Sequence, residues 1–182
     1  MSAKDSSKFA DILASASSNA NTNVSMLGES FKYVAPLCGS MGYSAEDASI
    51  ALSLMANAGI KGSQSGTSLK TALTNMLAPT NSMAGVMEEY GISLTNADGS
   101  MKSLKEVMIM LREKMGGLDE ATQGAAASTL FGKEALAGML SIINASDADF
   151  EKLTNAIYNC DGSAKTMADT TVSYTHLRAH ET

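Results

Sequence analysis

No apolar stretch of this chain keeps a helical rhythm for long before a glycine, a proline or a polar cap interrupts it. Ser44 is followed three residues later by Asp47, and Ser103 by Glu106. Each pattern places a hydroxyl where it can accept from the free N–H groups of a helix's first turn, with a carboxylate positioned to reach back. Gly59, Gly91, the Gly116-Gly117 pair and Gly132 stand where the apolar spacing stops, and Pro79 closes another segment. Glycine suits the left-handed conformation just past a helix end. Punctuation this frequent leaves room only for short helices that must shelter their apolar stripes against one another.

Taken in order, the spacing predicts a first helix over Lys4–Ala20 with Phe9, Ile12, Leu13 and Ala16 on one side. The polar run after it turns, and Ser25 is the expected cap of a second helix, Met26–Ser40. That helix shows Met26, Leu27, Phe31, Val34 and Leu37 inward, with a kink or early end at Pro36. A third helix after Ser44 is apolar over a wide arc (Ile50, Leu52, Leu54, Met55, Ala58) and belongs at the centre. GIKGSQSGTS is the expected turn into a fourth helix, which carries Leu69, Leu73, Met76 and Leu77 inward and ends before Pro79. A short helix over Asn81–Tyr90 follows, through Met83, Val86 and Met87. Ile92–Thr95 then alternates, and Asn96-Ala97-Asp98-Gly99 turns, which predicts one small β-hairpin near 92–102. Beyond Ser103 come amphipathic stripes through Leu104–Met115, then from Asp119 to Phe131, then Leu136–Ile143 and Phe150–Ile157, with a last segment from Asp161-Gly162 to about Thr171. The expected class is all-α: a compact multi-helix bundle of short amphipathic helices.

With 182 residues the chain can build a real core. Trp is absent and aromatics are few, so Leu, Ile, Ala and thirteen Met supply the apolar volume. Met is flexible and Ala small, which makes such a core shallow and adaptable. The formal charge is −6, and Lys61, Lys70, Lys102 and Lys105 are scattered, so no nucleic-acid binding is expected from this segment. No apolar run approaches the ~20 residues of a membrane span. The start, MSAKDSSKF, is polar and shows no secretory signal. Two cysteines, Cys38 and Cys160, are too few for a disulfide scaffold and are expected as buried thiols, although one bridge between them would need only suitable geometry.

Outside the last eleven residues the chain has no histidine, which removes Ser–His, Cys–His and His-ligated metal chemistry there. His176 and His180 stand four apart, half of a metal site on a helix, with no third ligand near. Cys38 lacks a base. Three carboxylate pairs remain, Glu46 with Asp47, Glu88 with Glu89 and Asp119 with Glu120. A glycosidase would need two carboxyls facing one sugar ring. Two of the three pairs sit instead in first helical turns, where negative charge complements the macrodipole. The glycines at 59, 62 and 66 lack the Gly-Lys-Ser/Thr ending of a phosphate loop, and Asn96–Gly99 lacks the remaining ligands of a calcium loop. Hence no catalytic residue, no cofactor, no metal and no enzyme is expected.

Several words occur in one order and spacing: LGESFKYVAP (Leu27–Pro36), MANAGIKGSQSGTSLKTAL (Met55–Leu73), LAPT (Leu77–Thr80), YGISLTNADGSMKSL (Tyr90–Leu104) and FGKEALAGML (Phe131–Leu140). Together they resemble the core region of phage tail tape measure proteins, over about Phe9–Thr171. The resemblance implies a structural virion protein whose length sets tail length while tube subunits assemble around it, and which leaves ahead of the DNA on ejection. It implies the tail tube protein, tail assembly chaperones and baseplate or tail tip proteins as partners, self-association, and residence in the tail tube interior after assembly in the host cytoplasm. Tape measure proteins are usually far longer than this chain. The final VSYTHLRAHET resembles a translated sequencing adapter. The expected division is therefore 1–24, an N-terminal helix leading into the core; 25–171, the core domain; and 172–182, a non-native tail beyond which the natural protein continues. Two other readings compete: a helical adaptor that binds a partner helix in an apolar groove, and a fragment of a cell-wall hydrolase.

Overall fold

The protein, seen in a computed structural model, is described over residues 3–170. Polar caps start most of its helices. Asn23 accepts from the Met26 N–H, Ser44 from Asp47, Thr80 from Met83, Ser103 from Glu106, Asp119 from Thr122 and Ser146 from Asp149. Each such cap contributes about 1 kcal/mol. The elements they delimit are α1 (Ala3–Asn19), α2 (Val24–Met41), α3 (Ala45–Asn57), α4 (Ser63–Leu77), α5 (Asn81–Tyr90), α6 (Leu104–Met115), α7 (Glu120–Phe131), α8 (Lys133–Ile143) and α9 (Asp147–Tyr158). A last helix, α10, covers 163–170.

The wide apolar arc of α3 places it at the centre. Every residue from Asp47 to Ala56 is buried, and α1, α2, α4, α6, α8 and α9 all pack against it. Beside it runs a stack in which α4 lies between α2 and α8. The faces of that stack are small. A Cβ on Gly66 would sit 2.2 Å from the Ser30 carbonyl oxygen, so α4 meets the backbone of α2 directly. A Cβ on Gly138 would sit 2.9 Å from Ser68 Cβ, so α8 packs closely against the Ser68 side chain of α4. α7 joins α4 and α8, and α5 lies on α7 with none of its residues buried.

Several sequence expectations change in the fold. Asn23, not Ser25, caps α2, because the helix begins two residues earlier than the apolar spacing shows. Pro36 neither ends nor shortens that helix. Lys32 and Pro36 are both exposed, so water can serve the carbonyl that proline leaves without a donor, while Phe31, Val34 and Cys38 stay buried on either side of it. Met26 and Leu77 are exposed rather than inward. Each is offset by about 100° from its buried neighbour, Leu27 or Met76, at the edge of the stripe. The expected glycine-rich turn is shorter than its sequence, since α4 starts at Ser63 and takes in Gly66. The β-hairpin is reduced to one antiparallel bridge, Thr95 to Met101.

Candidate functional site

The sequence offers carboxylates as its only candidate chemistry, and the fold disperses them. Asp47 is 2% exposed. Its Oδ2 accepts from the Lys105 backbone N–H at 3.1 Å and its Oδ1 from the Tyr158 hydroxyl at 2.5 Å. The capping pattern at Ser44 is therefore only half used. The hydroxyl caps α3, but the carboxylate turns away to cap α6 and to hold the end of α9. Lys105 Nζ completes this junction, 4.9 Å from the centroid of the Tyr158 ring. Burial first, then the hydrogen bond to Asp47, pushes the Tyr158 hydroxyl well above the usual phenol range. Glu46, the neighbour of Asp47, pairs instead with Lys8 of α1 at 2.5 Å.

The other pairs are local. Glu88 and Glu89 lie exposed on α5. Asp119 caps α7, and the Thr122 hydrogen bonds hold its carboxyl below the usual carboxylate range. Asp98 accepts from the Ser100 N–H and hydroxyl at 2.9 and 2.6 Å, so the candidate calcium turn closes on itself. Among the described residues no group of three or more His, Cys, Asp or Glu side chains is placed to hold a metal ion. His176 and His180 lie outside the described residues. Cys38 and Cys160 are both buried and free. Burial, with Asp47 as a lesser cause, pushes the Cys38 thiol up to about 11, which suppresses its nucleophilic thiolate.

The glycine-rich segment supplies a helix crossing. Ser30 Oγ donates to or accepts from Ser65 Oγ at 2.8 Å and lies 2.8 Å from the Gly62 carbonyl, so these hydroxyls are engaged between α2 and α4 rather than turned toward a ligand. A second polar junction fixes the α8–α9 connection. Arg112 donates to the Ile142 and Ala145 carbonyls at 3.0 and 2.6 Å and pairs with Asp147 at 2.7 Å, and Gln123 and Asn144 exchange amide hydrogen bonds at 2.8 and 2.9 Å. The sequence reading missed both junctions. Their members stand 111 and 35 residues apart, and no short-range pattern announces them. An apolar groove of about 460 Å³ lies between α1, α2 and the start of α3, lined among others by Phe9, Gly28, Ala35, Gly39 and Tyr43.

Among the described residues the polar groups form a set of braces between helices. The phage-related minor tail protein family matches residues 1–132. The chain belongs to that family. The chain is 39% identical over 93% of its length to the tape measure protein of Pneumococcus phage Dp-1, and 24% identical over 87% of its length to the probable tape measure protein of Escherichia phage P2. It spans 15% and 20% of those two relatives. No solved structure matches it. The family match stops at Gly132, inside the packed body, since α8 and α9 beyond it bury Met139, Ile142, Phe150, Leu153 and Ile157. No described helix is long and apolar enough to cross a membrane.

Proposed function

We propose that this chain is a segment of a tape measure protein, a structural part of the phage tail that sets tail length, scaffolds tail tube assembly and is ejected ahead of the DNA. The observation that carries this reading is the 39% identity to a tape measure protein over 93% of the chain. Its partners in this reading are the tail tube protein, the tail assembly chaperones and the baseplate or tail tip proteins, with self-association among copies. A ruler works because a continuous helix advances about 1.5 Å per residue, so chain length maps onto tube length.

The segment is a bundle of short helices, for which about 170 residues give a radius of gyration of about 15 Å. Such a body either sits at one end of the tail or opens into separate helices inside the tube. The test is an in-frame deletion of the segment in its phage, with tail length read by electron microscopy. If the segment is opened along the lumen, tails shorten by about 1.5 Å for each residue removed. If it sits at an end as a folded body, tails fail to initiate. Tails that initiate normally and change by neither pattern overturn the reading.

The groove beside Gly28, Ala35 and Gly39 favours a second reading, a helical adaptor whose partner helix lies on α2. Genes for a tail tube protein and its chaperones beside the unbroken gene favour the ruler; their absence favours the adaptor. The same gene sequence decides whether 172–182 is a foreign tail on a core of 25–171. A peptidoglycan digestion assay on the purified chain is expected to show no activity.

A further inference from the structure

We propose that residues 147–170, α9 with α10, form a strap that swings off α1 and α3 while α2, α4 and α8 stay together, with the Tyr158–Asp47 hydrogen bond as its latch. The strap has one pinned end and one latched end. At the pinned end Arg112 grips the Ile142 and Ala145 carbonyls and Asp147, its guanidinium lies 4.9 Å from the centroid of the Phe150 ring, and Gln123 holds Asn144. From there α9 runs for twelve residues, about 18 Å, to Tyr158.

At the far end, beside the buried Ile157 and Cys160, polar bonds tie the strap to the body. Besides the latch, Ser15 Oγ donates to the Ala156 carbonyl at 2.8 Å, and Asp11 accepts from the Gly162 and Ala164 N–H groups at 3.2 and 2.8 Å, capping α10 from across the molecule. Tyr158 is 49% exposed, so water reaches the latch residue. The Thr154 hydroxyl of the strap is buried without a hydrogen-bond partner, which weakens the closed state.

Four buried apolar residues, Phe150, Leu153, Ile157 and Cys160, hold the strap, and α4 buries the same number, Leu69, Ala72, Leu73 and Met76; the stack differs in its close backbone contact. The backbone contact at Gly66 and the Ser30 hydroxyl network would both have to break for the stack to open. Opening the strap bares flanks of α1 and α3 while leaving a folded body.

The two native thiols report on this motion. Cys160 lies in the strap, just past α9, and Cys38 lies in α2. Cys160 is the better covered of the two, 2% exposed against 5%, so static access gives it no advantage. The full chain is labelled with N-ethylmaleimide under native conditions, and each cysteine's rate, read by peptide mass spectrometry, is divided by its rate in urea-unfolded chain. Cys160 is expected to label at least tenfold faster than Cys38 on this scale. Tyr158→Phe is expected to speed Cys160 by about tenfold and leave Cys38 unchanged, as loss of a hydrogen bond to a charged group predicts. Faster labelling of Cys38, one common rate for both, or an equal response of both to Tyr158→Phe would overturn the strap. The ordering and the response to Tyr158→Phe are read together, because burial already suppresses the Cys38 thiolate in the closed chain. Because the assay uses the isolated chain, its failure leaves the tail-length experiment to judge the tape measure reading separately.

Discussion

The α2–α4–α8 stack and the α9–α10 strap both cover apolar side chains, yet they are joined by opposite means. In the stack, Gly66 and Gly138 remove side chains from the contact so that helix backbones and short hydroxyls meet directly. In the strap, Ser15 and Asp11 of α1, Asp47 of α3 and Arg112 of α6 hold an element near its ends through polar bonds. Close backbone approach has no cheap intermediate, because separating the helices loses dispersion contacts and buried hydrogen bonds together. Ties at the ends of a lever can be undone one at a time. The comparison teaches that a core poor in aromatics gains its rigidity from small residues, and that its releasable parts are those fastened by charge and hydroxyl.

The largest way to break this contrast is truncation. A chain ending at Gly132 keeps the whole family-matched region but loses α8 from the stack and all of α9. It is expected to lose cooperative unfolding in urea followed by circular dichroism, whereas a chain ending at 146 keeps a cooperative, less stable transition. Next is Gly66→Ala, whose Cβ would meet a carbonyl oxygen that cannot move aside. Overpacking of this kind costs about 3 kcal/mol in the urea midpoint analysis. Asp47→Asn weakens both bonds of the strap junction and is expected to cost about 2 kcal/mol. Its hydrogen exchange should rise in α9 and at the start of α6 before it rises in α4.

Smaller effects sharpen the same picture. Gly28 lies in α2 with open space where its Cβ would go. Gly28→Ala is therefore expected to stabilise by about 0.5–1 kcal/mol, opposite in sign to Gly66→Ala, from reduced backbone entropy of the unfolded chain. Smallest is the acid response of the exposed caps. The carboxyls of Asp98, Glu106 and Asp119 are held below their ordinary values of 3.8, 4.5 and 3.8 by hydrogen bonds from Ser100, Ser103 and Thr122. A depressed folded pKa means that their contribution is complete above the ordinary value and is lost as pH falls through the folded one. A slight drop in melting temperature is expected below about pH 4.5, with no counterpart from these groups between pH 6 and 8.

Much of the helix layout was legible in the linear chain. Ser44, Ser103, Asp119 and the glycines at 59, 91 and 132 work through bonds and dihedrals within a few residues, so their type and spacing suffice. Pro36 does not end α2 early, because its local preference is outweighed by burial of Phe31, Val34 and Cys38 on the same helix. The hairpin misled because alternation at Ile92 and Leu94 buries two side chains without needing a ladder. At the candidate site, spacing identified Asp47 as a first-turn carboxylate, but nothing near it in sequence names Lys105 or Tyr158.

The sequence by itself determined that the chain divides into short capped helices, that a wide-faced helix after Ser44 lies innermost, and that its motifs are those of tape measure proteins. These properties reside in neighbouring residues or in word order. Tertiary structure alone decided that the glycine-rich segment is a backbone crossing, that Asp47 braces three helices, and that the packed body runs on past the family boundary at Gly132. Each of those depends on groups that meet only after the chain has folded back, where geometry rather than adjacency sets the interaction.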